Sequence, residues 1–528
     1  MIAEAAYYAN LTFGVCRMLR YPHGGAADFI REHLANREQR FLDLAASRVF
    51  AEPANPYREL FRLAGCEQFD LAESVKRCGL EATLSNLAAE GVYLSHDEFK
   101  GKTPLMRAGR EIPCRPEALL NPVTRGYIPG VSGGSRSRGT PNRKSAEMQV
   151  CRDAYEQLRN REFGLHSRVV GLVRPILPSA SALRNSIDRV RAGGKIDRWF
   201  STRGGVRDAA HYRVLTHFVV GVGRCLGAPL PWPRYLPPND VLPVAQWIAA
   251  HRREGRLCAI RSFASAAVRI AAAAREADLD ISGTMFFVGG EALTPSKRAT
   301  IEDAGAEVYP SYVISEIGVV GGACRQMKHG NCVHLHRDAL AVISRQRTAP
   351  LSGMPVNSLM FSTLLPFASS FFINVEMDDS GVLEPATCQC EYSAAGLTTQ
   401  VRDIFSYGKL TGQGITLLGS DVVSILERAL PARFGGAPGD YQLVEKEGSR
   451  QTQLILRVSP RTRAASAADV HEFFLNELRK CYGGTLAARL WTHSDGLSVS
   501  FEEPCVTAGG KVLPLHVLGL EGHRVHAS

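Results

Sequence analysis

Residues Val131 to Thr140 read Val-Ser-Gly-Gly-Ser-Arg-Ser-Arg-Gly-Thr, a set of side chains able to hold an anion. The glycines let backbone N–H groups converge on a phosphate, the hydroxyls of Ser132, Ser135, Ser137 and Thr140 donate, and Arg136 and Arg138 add charge. Loops of this composition also serve as plain connectors, so the sequence downstream decides. There, Cys388-Gln389-Cys390 offers two thiols two residues apart, too close for a relaxed disulfide with each other. With Cys324 and a histidine they could complete a tetrahedral Zn²⁺ shell, and His334, His336, His329 and Cys332 compete for the remaining places; reduced, half-buried cysteines are the alternative. Near the carboxyl end Gly509-Gly510-Lys511 places a lysine in a flexible turn.

These residues need elements to position them. The first ninety or so residues are helix-rich, with apolar residues at helical spacing in Phe29 to Leu44 and Tyr57 to Ala64. Asn121 to Lys144 reads as loop. From Ala146 onward, helical and short strand-like runs alternate through Gly164 to Leu177, Val214 to Gly227, Phe263 to Ala277 and Thr284 to Val288, which predicts an α/β core. Ala228 to Pro238, rich in proline, reads as a stiff surface connection. The rhythm then changes. Asp421 to Leu430 and Ala467 to Cys481 read as helices, Asp440 to Lys446 and Gln453 to Val458 as a hairpin, and Leu497 to Glu502 as a further strand, together a small α+β unit.

The chain has 528 residues, 45% hydrophobic and 22% charged, enough for more than one domain. A net charge of +10 is scattered along helices, and no zinc-finger, helix-turn-helix or RNA-recognition pattern accompanies it, so no nucleic-acid partner is expected. No stretch offers the roughly eighteen consecutive apolar residues of a membrane span. The first twenty residues lack a basic leader, and thirteen cysteines without framework spacing suit reduced thiols, so a soluble cytoplasmic protein is expected.

Phe286-Phe287-Val288-Gly289-Gly290-Glu291-Ala292-Leu293 is a strand running into two glycines and an acid, and Tyr309-Pro310-Ser311-Tyr312-Val313-Ile314-Ser315-Glu316 follows the next helix. With the loop at 132 to 140, these segments resemble the adenylate-forming superfamily, and most closely its phenylacetate-CoA ligase branch, over nearly the whole chain. The resemblance implies a large α/β adenylate-forming domain over residues 1–407, a hinge at 408–419 and a small mobile α+β domain at 420–528. It implies that Ser132, Gly133, Gly134, Ser135, Arg136, Ser137, Arg138, Gly139 and Thr140 embrace the β- and γ-phosphates of ATP. Gly289, Gly290 and Glu291 would border the adenine, Tyr312 would stack on it, Ser315 would help hold the phosphate and Glu316 would bind Mg²⁺. Asp379 matches the ribose-binding acid, while Asn374 and Val375 replace the family's Arg-Tyr pair. Lys511 matches the lysine that enters the site during adenylation, where a cation stabilises charge building on the phosphoryl oxygens. Several relatives in the branch have a structural zinc, and a similar His-to-Asp stretch favours His334, four residues before Asp338, beside Cys324, Cys388 and Cys390.

The implied activity is ATP-dependent conversion of a carboxylic acid, aryl or apolar, to an acyl-adenylate with release of pyrophosphate, followed by transfer to coenzyme A, a carrier-protein thiol or an amine. An acyl pocket is expected beside Ser262-Phe263, Phe286-Phe287 and Val319 to Gly322. Two other readings stand beside it, an acyl-protein synthetase and a noncatalytic nucleotide-binding relative. A homodimer stays open.

Overall fold

The structure is a computed structural model that describes residues 2–22, 26–121, 127–131, 141–201, 210–237, 240–327, 331–348, 355–407, 411–412, 415–416, 419–447, 452–464, 466–480, 497–507 and 510–518. A twelve-stranded sheet forms its centre. One half is parallel, running from the edge through Pro233–Tyr235, Arg198–Ser201, Val169–Val173, Cys258–Ser262 and Met285–Gly289 to Glu307–Ile314. The other half continues antiparallel through Gly318–Gly322, Val333–Leu335, Thr399–Ser406, Val375–Pro385, Pro355–Thr363 and Leu340–Thr348.

The parallel half is covered on both faces, which is why its strands read as unbroken apolar runs. Met285 and Phe287 belong to one core with Phe163, Leu158 and Leu183, whereas Phe286 and Val288 point the opposite way into a second core with Val268, Ile248 and Ala271. Helices Met148–Phe163 and Ser181–Arg191 contribute to the first, and Leu242–Arg253 and Ala264–Glu276 to the second. The α/β alternation expected from Ala146 onward is therefore present. No helix among the described residues is long and apolar enough to cross a membrane.

The amino-terminal helices pack against the antiparallel half through Asn374, whose fully buried amide donates to the carbonyls of Leu84 (2.8 Å) and Val92 (3.1 Å). Tyr57 donates to the carbonyl of Ile373 at 2.8 Å, and Asn55 caps its helix by accepting from the Tyr57 N–H. Asn374 holds φ of +51°, a left-handed conformation that asparagine tolerates better than most side chains. Asn374, standing where the resemblance implies an arginine, thus sits at a packing position.

A separate four-stranded sheet, ordered Leu497–Ser500, Thr452–Val458, Tyr441–Glu447 and Leu515–Leu518, has its own core of Leu443, Leu456, Phe474 and Leu478 under helix Ala467–Arg479. The expected hairpin is there, but the last strand carries no pattern that a sequence reading would single out. Two expectations change. Part of the segment read as loop pairs as a hairpin, Tyr127–Val131 with Pro141–Ser145, and the proline-rich connection contains the edge strand Pro233–Tyr235, the place where a sheet tolerates proline.

Candidate functional site

Strand Met285–Gly289 ends beside Glu307–Ile314, and a Cβ on Gly289 would stand 3.0 Å from the carbonyl oxygen of Ser311, so this position requires glycine. Gly290 turns the chain at φ of +83°, which exposes its carbonyl. Lys511, from the four-stranded body, reaches across and donates to that carbonyl at 2.6 Å. The lysine is set by its own turn, in which Lys511 N–H donates to Thr507 Oγ1 (3.0 Å) and Thr507 N–H to the Lys511 carbonyl (2.8 Å). Its Nζ also lies 5.5 Å from the ring centre of Phe263.

Two further groups at this turn have other duties. Glu291 accepts from the N–H (2.8 Å) and hydroxyl (2.9 Å) of Ser265, satisfying the start of helix Ala264–Glu276 with a carboxylate where the helix dipole favours one. Arg174 stacks on Phe263 at 3.7 Å and donates to the Ser262 carbonyl at 2.7 Å. Burial holds its guanidinium down to about 10. Nothing in the sequence around Arg174 singles it out, because its partners are about ninety residues away.

Tyr312 and Asp379, 67 residues apart, meet at 2.8 Å, the phenol donating to the carboxylate. Burial and then the Asp379 charge push the Tyr312 hydroxyl well above its usual range, so it remains a donor. Ser315 and Glu316 form the turn from Glu307–Ile314 into Gly318–Gly322. Glu316 is ion-paired with Lys100, which follows the short helix His96–Phe99 of the amino-terminal layer. A sequence reading misses Lys100, since the two residues are 216 positions apart. The structure thus brings Gly289, Gly290, Glu291 and Lys511 together, joins Tyr312 to Asp379, and places Ser315 and Glu316 at the end of the same strand as Tyr312. The loop from Ser132 to Thr140 lies outside the described residues, as do most residues of the expected hinge.

Cys324, His334, Cys388 and Cys390 converge, with one ligand atom of each within 4.8 Å of every other. Cys324 and Cys388 stand 3.8 Å apart, Cys388 and Cys390 3.7 Å, and His334 Nε2 lies 3.2 Å from each of the latter two. A tetrahedral shell with metal–sulfur bonds of about 2.3 Å has sulfur–sulfur edges of about 3.8 Å, so the donor set fits a tetrahedral cation. The other ring nitrogen, His334 Nδ1, lies 2.8 Å from the Leu397 carbonyl, and the ring stacks on Tyr392. That arrangement turns Nε2 toward the sulfurs, the usual outer-shell device of metal-binding histidines. The hydrogen bond with Cys324 holds the Cys390 thiol well below its usual range. Of the competing ligands, His336 instead stacks on Tyr155 at 3.6 Å and Cys332 is buried apart from the group; His329 lies outside the described residues.

No family model matches the chain, and no curated protein matches it. Solved structures do. Among them is 2-hydroxyisobutyryl-CoA ligase in the postadenylation state with R3-HIB-AMP, at a TM-score of 0.52 and 16% identity, covering 92% of this chain and 88% of that one. The same ligase with 2-HIB-AMP and CoA in the thioesterification state matches at a TM-score of 0.44 and 15% identity, covering 94% of this chain and 91% of that one. On the first likeness, which spans most of both chains, the large mixed sheet and the smaller four-stranded unit are the α/β fold of the adenylate-forming ligases.

Proposed function

We propose that the protein is an adenylate-forming ligase. A carboxylate oxygen of the acid attacks the α-phosphorus of ATP, the bond from that phosphorus to the bridging oxygen breaks, and pyrophosphate leaves. A thiol of coenzyme A or of a carrier protein, or an amine, then takes the acyl group and AMP departs. The observation that carries this reading is Lys511 Nζ at 2.6 Å from the Gly290 carbonyl, at the mouth of a glycine turn next to a partly buried tyrosine–aspartate pair. A cation presented there on a separate body can neutralise the phosphoryl oxygens during adenylation and withdraw for the second step.

In this reading Gly289 and Gly290 border the adenine, Tyr312 and Asp379 hold the nucleoside, and residues 132–140 hold the phosphates. Glu316, at the turn after Ile314, would hold Mg²⁺, which would supply positive charge against the phosphates. Lys100 occupies that carboxylate in this structure. Cys324, His334, Cys388 and Cys390 would hold a structural Zn²⁺. We further assign the phenylacetate-CoA ligase branch, an aryl or apolar acid, residues 1–407 as the adenylating domain, 408–419 as hinge and 420–528 as the lysine-bearing domain, in a cytosolic enzyme.

The test is acid-dependent exchange of pyrophosphate into ATP over a panel of aryl and aliphatic acids, with wild type compared to Lys511→Ala. The expected result is exchange with some acids, reduced by orders of magnitude in the variant while ATP binding persists. Exchange unaffected by Lys511→Ala, or none with any acid, would sink the proposal.

A further inference from the structure

A cavity opens on the inner side of the Glu316 turn, walled by apolar groups that include Met148, Ile317 and Phe372. Three charged side chains also line it, Glu316, Arg152 and Arg184. Two of them are neutralised. Glu316 pairs with Lys100, and Arg152 forms a two-pronged pair with Asp188, Nε donating to Oδ1 at 2.9 Å and Nη2 to Oδ2. Asp188 Oδ1 is further taken by the Gln149 amide at 2.9 Å.

Arg184 is different. It lies one helical turn before Asp188 on helix Ser181–Arg191, yet that carboxylate is turned to Arg152, and the Arg184 guanidinium has no ion-pair or hydrogen-bond partner among the described residues. Burial, and then repulsion by Arg152, hold it down to about 9. An apolar-walled cavity carrying a cation whose one nearby carboxylate, Asp188, is already bonded to Arg152 and Gln149 is complementary to an anion on an apolar body. The substrate's reacting carboxylate cannot be that anion, because it must face the nucleotide phosphate.

We propose that the acid activated here is a dicarboxylic acid, whose second carboxylate is held by Arg184 while the first reacts. The inference rests on the adenylating activity proposed above. It narrows the acid from any apolar carboxylate to one with a second negative charge at its far end, and it makes Arg184 the residue that sets specificity.

The experiment compares diacids with monoacids of matched carbon skeleton, adipate with hexanoate and isophthalate with benzoate, by pyrophosphate exchange in wild type, Arg184→Met and Arg184→Lys. Removing a charge-assisted hydrogen bond from such a cavity lowers the ratio of diacid to monoacid kcat/KM by roughly 10- to 100-fold in Arg184→Met, with Arg184→Lys between. Monoacids preferred by wild type, or a ratio unmoved in an active Arg184→Met enzyme, would overturn the inference and leave adenylation standing. A raised KM for ATP with an unmoved ratio would give Arg184 to the nucleotide phosphates and overturn it equally. Calorimetric titration of the same diacids keeps the two proposals apart. Diacid binding that Arg184→Met abolishes, without exchange in any protein, would uphold the anion site and refute adenylation, whereas no difference between the proteins in binding or exchange refutes the anion site.

Discussion

Lys297 and Glu427 join the large sheet to the four-stranded body, and their pair can be broken from one side. Lys297 belongs to helix Pro295–Glu302, which directly follows the Gly290–Leu293 turn and its cap Thr294; Glu427 lies in the segment Ile425–Ala429 that leads into the smaller sheet. The ammonium and carboxylate are 2.9 Å apart with only 4% of each side chain exposed, and Thr294 Oγ1 donates a second hydrogen bond to Glu427. Burial works to lower the Lys297 pKa, but the Glu427 charge, with help from Glu291, raises it above the usual value. Glu427→Gln keeps the shape and removes the anion. A buried cation left without its partner costs about 3–5 kcal/mol, which the chain can escape only by neutralising Lys297 or unseating the smaller body. Since Lys511 sits on that body, unseating also withdraws it from Gly290. Three kcal/mol corresponds to a fall of about 150-fold in the seated population, and the exchange rate follows once the seated state ceases to dominate. The double replacement Lys297→Met with Glu427→Leu should recover most of the loss, because an apolar pair of similar volume is close to neutral in such a place. Urea unfolding and pyrophosphate exchange on Lys297→Met, Glu427→Leu and the double close the cycle, beside Glu427→Gln. A Glu427→Gln protein within about threefold of wild type in exchange and within about 0.5 kcal/mol in unfolding would refute the reasoning, as would a double variant no better than the singles.

Three other outcomes follow from the geometry. Metal analysis of the purified protein should find one zinc per chain, lost in Cys390→Ala and His334→Ala but retained in Cys332→Ala; zinc retained in Cys390→Ala would contradict the ligand set. Lys100→Met leaves the Glu316 carboxylate unpaired, so it should destabilise the magnesium-free protein by roughly 1–3 kcal/mol and lower the Mg²⁺ concentration that half-saturates a thermal shift, whereas an unchanged Mg²⁺ response would remove Glu316 from the metal's shell. Asp338 is fully buried and burial raises its carboxyl to about 6, above the 3.8 of the unfolded chain. The folded state therefore holds the proton more tightly, its contribution is intact below pH 4 and is lost as pH rises to about 6, so Asp338→Asn should match wild type at pH 4 and exceed it by up to about 3 kcal/mol at pH 8; a difference independent of pH would refute the assignment.

How much of this was readable in the sequence depended on how far apart the interacting residues lie. Met285 to Gly289 declared itself because a strand buried on both faces must be apolar throughout, and Gly289 and Gly290 because a close backbone approach at the first and a positive φ at the second favour glycine. Cys388 and Cys390 stood out by spacing and Cys324 with a histidine could be added to them, but family resemblance was needed to prefer His334, since the folding that unites them crosses 54 to 64 residues. Lys100, Arg174, Arg184 and Lys297 gave no signal. Each is a basic residue on or beside an ordinary helix or strand, and what distinguishes it is the carboxylate, carbonyl or empty side that tertiary packing puts opposite. The hairpin at Tyr127–Val131 and Pro141–Ser145 escaped for another reason. Its second strand is Pro-Asn-Arg-Lys-Ser, with no alternation of apolar and polar residues to mark a buried face.

The cluster of Cys324, His334, Cys388 and Cys390 and the Glu316 turn are one mechanical unit. His334 lies on strand Val333–Leu335, which pairs with Gly318–Gly322, the strand that leaves Glu316. The two strands approach so closely that a Cβ on Gly321 would stand 2.3 Å from the His334 carbonyl oxygen, and one on Gly322 would stand 3.1 Å from the Tyr392 hydroxyl. Tyr392 in turn stacks flat on the His334 ring, two residues beyond the ligand Cys390. A cation bound by His334, Cys388 and Cys390 would therefore fix the ring against which the Gly321–Gly322 backbone rests, and through it the strand carrying the Ile314–Gly318 turn. That strand pair otherwise offers few side chains to pack, because glycine occupies the positions where it meets its neighbour. A metal held by these four residues would pin it from behind, compensating for the missing side chains and keeping the carboxylate of Glu316 in register with Tyr312 on the preceding strand.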